Sequence, residues 1–341
     1  MVGKLPPGVM EKLVYSRLGR RDPSVLVGPA VGEDAAIIDL GDGRVLVVHN
    51  DAITGAVEFL GWLAVHIVAN DVAVRGARPR WFLMSLFLPE RGAEALLERV
   101  MAQVDRAARE LGMMVVGGHT ETTPGLDRPI VGTTAIGLAS RDAYVTTSGA
   151  RSGDYVIVTK GVGIEGTAIM CTDFAEALRS RGVSEEVIRR GARFLEMVSV
   201  AREALLLAEH GLVTAMHDPT EGGLLGGLAE LAYASGKTIV VREADVPLAE
   251  ETRVVTQALG VDPLRLISSG TLVATVPPPR VEEAVRLLRD NGIQARVIGR
   301  VVDFNGNLVE VERRDGSREV LREVYVADEL FRLWKAYGAG G

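Results

Sequence analysis

Two polar neighbours, Asn70 and Asp71, interrupt an apolar run from Trp62 to Pro79 in which Trp62, Val65, Ala69 and Val72 recur at helical spacing. A carboxylate and an amide on a mostly buried helix need partners. Arg75, four residues on in the favourable acid-before-base order, is one such partner. In the alternative reading the pair points into a cleft, where it holds a hard cation or orients a polar ligand. Gly76 and Pro79 end the helix in either case.

Other chemistry-bearing residues stand at the ends of strands. A Gly-rich loop, Gly28 to Gly32, delivers Glu33 and Asp34 just ahead of a short apolar strand. Asn50 and Asp51 follow the strand Arg44 to His49, although Asp51 also reads as a helix cap or turn residue. After the strand Met113 to Val116 come Gly117 and Gly118, which let backbone approach a ligand, and then His119, Thr120 and Glu121. His119 by itself is more often a hydrogen-bonded loop residue than a metal ligand or a base.

Two further loops suit anions. Gly161-Val-Gly163-Ile-Glu-Gly166 follows a strand and opens a helix, matching G-x-G-x-x-G. The Rossmann acid about twenty residues on is missing, because 184–190 is helical and charged, so the loop is a generic phosphate-binding or tight-packing turn. In His217-Asp-Pro-Thr-Glu-Gly-Gly223, Asp218 or Thr220 can cap the following helix. Thr220, Gly222 and Gly223 can equally offer hydroxyl and N–H groups to an anion.

The elements that must position these groups follow from punctuation and periodicity. A helix spans Val9 to Leu18, and the turn Gly41-Asp-Gly43 joins two strands as a hairpin. Trp81 to Leu88 reads as a buried strand, Ala93 to Leu111 as an amphipathic helix, and Ile130 to Leu138 as a strand. Thr146 to Gly153, small and polar, marks a boundary, beyond which strands and helices alternate. That half has one helix through 187–208, a hairpin at Asn305-Gly306, a turn at Asp315-Gly316, a last helix from Val326 to Tyr337 and frayed residues 338–341. The organisation is then a helical segment over 1–27, a domain over 28–148, a second over 149–320, and a helix with tail over 321–341.

At 341 residues, two domains are the reasonable expectation. Hydrophobic residues at 47% and charged residues at 24% allow each half its own core. A net charge of −7 argues against nucleic acid or an anionic membrane as partner. Without a membrane span or a signal-peptide core, the expectation is a soluble, cytoplasmic protein. The one cysteine, Cys171, excludes an intramolecular disulfide and reads as a small buried hydrophobe beside a helix start.

Gly32-Glu-Asp-Ala-Ala36, Asn50-Asp51, Ala69 to Pro79, Gly117 to Glu121, His217 to Gly223 and Ser268-Ser-Gly-Thr271 together resemble, in order, the aminoimidazole ribonucleotide (AIR) synthetase, or PurM-like, superfamily. That superfamily includes thiamine-monophosphate kinase, selenophosphate synthetase and the hydrogenase maturation factor HypE, and the Asn-Asp-Val-Ala and Asp-Pro-Thr-x-Gly-Gly stretches look most like HypE. The resemblance implies an α+β fold: an N-terminal mixed sheet that pairs in a homodimer, a C-terminal α/β sandwich domain, and ATP with Mg²⁺ in the cleft between them. It makes Asp34, Asp51 and Asp71 the metal acids and Asp71, His119 and Glu121 the catalytic candidates. Gly32, Asp34, Asp51, Asn70, Gly117, Gly118, Thr120, Gly161, Gly163, Asp218, Thr220, Gly222 and Gly223 become nucleotide contacts.

The implied activity is ATP-dependent, of phosphotransferase or dehydratase type, moving a phosphoryl group to an oxygen of a small-molecule or protein acceptor. A small-molecule kinase like thiamine-monophosphate kinase, or a nucleotide-binding scaffold, are the alternatives. Where HypE and thiamine-monophosphate kinase carry Asp, this chain has His119, as in selenophosphate synthetases, and Glu121 stands by as a substitute. HypE also ends in a modified cysteine, whereas this chain ends Gly338-Ala-Gly-Gly341. The expectation is therefore a diffusible molecule or another protein as acceptor. The homodimer expectation also rests on residues 44–49 and 81–88, which are apolar almost without alternation, as in strands covered on both faces.

Overall fold

A computed structural model describes residues 5–53 and 58–337. Gly55, expected ahead of the first long helix, and the tail expected to fray lie outside them. The chain forms an α+β protein of two compact units, the second comprising Asp22–Gly28 and Asp34–Tyr144 and the first the remainder. A short helix α1 (Pro7–Met10) continues as one wide turn over Glu11–Tyr15, in place of the single helix expected over Val9 to Leu18.

The unit built on Asp34–Tyr144 is a six-stranded mixed sheet with two helices on one face. Its strands are β1 (Val25–Val27), β2 (Ala36–Asp39), β3 (Arg44–Ile53), β4 (Arg78–Leu88), β5 (Met114–Thr122) and β6 (Ile130–Ser140), in the order β1-β2-β3-β6-β4-β5. Helix α2 (Leu60–Ala73) is buried along its whole length, which its nearly all-apolar sequence allows, and packs on the sheet and on α3 (Ala93–Leu111). The expected hairpin is present as antiparallel β2 and β3.

Strand alternation decides which residues meet the helices. Val45 and Val47 of β3, Phe82, Met84 and Leu86 of β4, and Val131 and Ala135 of β6 are buried beneath them. Leu46, Val48, Trp81, Leu83, Ile136 and Leu138 face the other way and are only half-buried. Edge strand β5 leaves Met114 66% and Val116 47% exposed, a large apolar surface for an uncovered sheet.

Two strands run further than expected. β3 continues through Asn50 and Asp51 to Ile53, because β6 offers ladder partners as far as Val131. β5 continues through Gly117–Glu121 to Thr122, since parallel β4 pairs with it out to Leu88. Those residues are therefore strand, not loop.

The other unit carries a seven-stranded sheet in the order β13-β12-β9-β11-β7-β10-β8. Its strands are β7 (Tyr155–Thr159), β8 (Ala215–His217), β9 (Lys237–Arg242), β10 (Val273–Val276), β11 (Ala295–Asp303), β12 (Val309–Glu312) and β13 (Arg318–Leu321). Helix α8 (Gly223–Ser235) buries Leu224, Leu225 and Leu228 against one side of this sheet. Helices α4 (Ile164–Asp173), α5 (Ala175–Ser180), α6 (Glu185–Ala192), α9 (Glu250–Leu259) and α11 (Glu329–Tyr337) share a second core around Met170, Leu178, Ile188, Val255 and Leu333. α10 (Val281–Asp290) packs with α7 (Ala201–Glu209) and on β11.

Three local expectations are corrected here. The helix read through 187–208 is α6, a tighter turn over Arg193–Met197 and α7, with a break before Ala201. Asn305-Gly306 does not close a hairpin: β12 crosses to lie parallel to β9, and β11 pairs with β9 and β7 instead. Cys171 lies inside α4, not at a helix start. The turn at Asp315-Gly316 does join antiparallel β12 and β13. Among the described residues no helix is long and apolar enough to cross a membrane.

Candidate functional site

The acidic centre of the N-terminal unit is built by β3 and α2. Past the buried Val45 and Val47, the same strand face presents His49 and Asp51, because residues two apart along a strand point the same way. Asp71 comes down from α2, and a ring nitrogen of His49 and one carboxylate oxygen each of Asp51 and Asp71 lie within 4.8 Å of one another. His49 Nε2 is 3.6 Å from Asp71 Oδ2. A carboxylate oxygen of Asp34 also lies within 4.8 Å of one of Asp71.

The surrounding bonds hold this arrangement. The Ala52 N–H donates to Asp51 Oδ1 at 2.7 Å, and Thr133 Oγ1 donates to the Asp51 carbonyl at 3.1 Å. Asn50, on the opposite face, donates from Nδ2 to the Thr133 carbonyl and to Thr134 Oγ1. Arg75, fully buried, donates to Asp34 Oδ2 at 2.8 Å. A buried guanidinium without such a partner would cost several kcal/mol.

The three acids expected around a metal thus share one neighbourhood, and Asn70 is buried on the same helix. His49 was missed. Its signal was its place two residues before Asp51, legible only once the strand is known to run through both.

His119 and Glu121 are not brought to this centre. Register places them opposite Ser85 and Phe87, on the sheet face turned away from α2. There they bond to each other at 3.0 Å, exposed to solvent, and the imidazole followed by Thr123 holds the Glu121 carboxyl below its usual range. Thr120 is exposed on the same strand, as is Gly117. Gly118 has φ +155°, and a Cβ there would stand 2.1 Å from the Met84 carbonyl oxygen. The neighbouring strand's backbone accounts for that glycine without a ligand.

The C-terminal unit's glycine loops are largely satisfied from within. Gly163, left-handed at the start of α4, donates its N–H to Ser268 Oγ at 2.7 Å, and Thr271 Oγ1 donates to the Gly161 carbonyl at 2.6 Å. Of the two readings of this loop, the tight-packing turn describes these bonds. At α8 the cap is Gly222, left-handed, and its N–H donates to Asp328 Oδ2 at 2.8 Å, while Gly223 N–H donates to the Thr220 carbonyl. The helix start expected to be capped by Asp218 or Thr220 is met by a carboxylate from just before α11. Asp218 itself is buried, and the preceding His217 bonds through Nε2 to Glu230 at 2.9 Å. Gly32 makes a close approach to the Glu230 backbone, and Glu33 accepts from the N–H groups of Thr147 and Ser148.

Comparison with known proteins agrees with this architecture. The family model described as AIR synthase related protein, N-terminal domain, matches residues 32–139, and its C-terminal counterpart matches 151–311. Carbamoyl dehydratase HypE of Azotobacter vinelandii is 30% identical over 306 residues, covering 84% of each chain. Selenide, water dikinase of Geobacter metallireducens is 30% identical over 331 residues, covering 88% of this chain and 93% of its own. Among solved structures, hydrogenase maturation protein HypE in complex with ATP superposes with a TM-score of 0.69 at 28% identity, over 92% of this chain and 89% of that one.

Proposed function

Since this chain belongs to the AIR synthase related family, we infer that it is an ATP-dependent enzyme that moves a phosphoryl group from ATP to an acceptor. The observation that carries the reading is the convergence of Asp34, Asp51, Asp71 and His49 in one neighbourhood of the N-terminal unit. Three carboxylates with an imidazole are a donor set that fits a divalent cation, and such a cation neutralises phosphate charge during phosphoryl transfer. Asp51 and Asp71 are the residues that would hold it. Arg75 holds Asp34 in place beside them.

Relatives named as a carbamoyl dehydratase and as a selenide, water dikinase, together with the solved HypE structure in complex with ATP, support an ATP-dependent enzyme. The acceptor is not Cys171, which is 3% exposed and whose thiol burial pushes up to about 12. The half-buried apolar face of the N-terminal sheet and the exposed edge β5 support a homodimer formed through that face, with His119 and Glu121 inside the contact.

Calorimetry tests the reading. ATP binding should depend on a divalent cation and weaken by on the order of 10–100-fold in Asp71→Asn, the loss known for groups that merely support a ligand being a lower guide. Steady ATP hydrolysis should disappear in Asp51→Ala. Cation-independent ATP binding, or unchanged affinity in Asp71→Asn, would overturn it.

A further inference from the structure

We propose that the cation site of this chain is a mixed nitrogen–oxygen site, made by His49 with the carboxylates of Asp51 and Asp71, and that it takes manganese in preference to magnesium. The proposal deepens the reading above, resting on it for the nucleotide but not for the cation.

The geometry comes from two elements only. His49 and Asp51 share the α2-facing side of β3, and Asp71 meets them from α2 so that the ligand atoms all lie within 4.8 Å. An ion with bonds of about 2.0–2.2 Å holds ligand atoms roughly 3 Å apart at right angles and roughly 4.3 Å apart across its diameter. The 3.6 Å between His49 Nε2 and Asp71 Oδ2 falls between those values and is too long for a hydrogen bond. With their side chains 25% and 12% exposed, the two groups are sheltered yet open enough for an ion to enter.

The strand beneath is firmly held. Asn50 ties β3 to β6 from the opposite face, and the Ala52 N–H fixes one Asp51 oxygen. A site on a rigid strand and a buried helix keeps its ligand spacing when no ion is bound, which makes its donor chemistry decisive.

That chemistry separates the candidates. Magnesium demands near-ideal octahedral oxygen coordination and parts with its waters reluctantly, so an imidazole is a poor ligand for it. First-row transition ions accept imidazole, and manganese also suits carboxylates. A histidine at position 49 therefore shifts preference away from magnesium, whereas an acid there would restore an all-oxygen set. The competing account is a protonated His49 paired with the carboxylates and no cation bound.

The full-length protein without nucleotide is titrated with Mn²⁺ alone, following free Mn²⁺ by electron paramagnetic resonance, with Mg²⁺ as competitor. Pulsed spectra of the bound ion then report nitrogen coupling. The expected results are nitrogen coupling from one imidazole and a Mn²⁺ preference over Mg²⁺ of at least roughly tenfold. His49→Thr should lose the coupling and most of the preference, and His49→Asp should bind Mg²⁺ more tightly than wild type, with circular dichroism confirming that both fold. No bound Mn²⁺, bound Mn²⁺ without nitrogen coupling in the wild type, or coupling that survives His49→Thr would each overturn the proposal. Cation-dependent ATP binding without nitrogen coupling removes this inference and leaves the proposed function standing. Coupling without any ATP binding does the reverse.

Discussion

Asp328 should make the C-terminal unit less stable as pH rises from about 4 to about 7. Its carboxylate is 5% exposed and accepts the N–H groups of Gly222 and Leu330, each at 2.8 Å. Burial pushes it up, those two bonds pull it back, and the charges of Glu221 and Glu165 raise it again, from 3.8 to about 7. The folded chain therefore retains a proton that the unfolded chain releases above about pH 4. Its contribution is fully present below the unfolded value and is lost as pH climbs to the folded value, levelling off above about 7. A shift of this size at roughly 1.4 kcal/mol per unit corresponds to about 4 kcal/mol, to order of magnitude. Asp328→Asn cannot ionise and keeps one good acceptor, giving up a bond worth about 1 kcal/mol. Urea unfolding at intervals from pH 4.5 to 8.5 should then show the variant less stable than wild type at the acid end and more stable at the alkaline end. Parallel stability curves for the two proteins across that range would refute the reasoning.

Other outcomes follow from packing and burial. Gly61→Ala puts a Cβ 2.2 Å from the Val100 carbonyl, so it should destabilise by about 1–3 kcal/mol in thermal melts and, by displacing α2, weaken cation binding at Asp71. Cys171 should resist iodoacetamide at pH 8 in the native protein and react once urea unfolds it; fast native labelling would contradict its burial. Light scattering should give twice the 36.4 kDa chain mass, and Leu83→Glu on the open sheet face should return the protein to single chains. A monomeric wild type at micromolar concentration would rule out the dimer.

What the sequence determined by itself was what repeats locally. The apolar run ending at Gly76 could only be a buried helix, Ala93 to Leu111 could only present one apolar stripe, and Gly41-Asp-Gly43 could only turn one strand back on another. The acids of the site were visible for the same reason, since Asp71 broke a periodic pattern and Asp34 and Asp51 stood beside strong strand signals. The tertiary structure decided everything that depended on a distant partner. β3 and β5 run on because β6 and β4 supply ladder bonds from elsewhere in the chain, and that extension is what puts His49 beside Asp71 and turns His119 and Glu121 to the other face. Arg75 pairs with Asp34 across 41 residues, and Asp328 caps α8 from 106 residues away. Periodicity reports which face of an element is apolar, but a hydrogen bond or ion pair between remote residues leaves no mark on the residues between them, so only the folded chain reveals it.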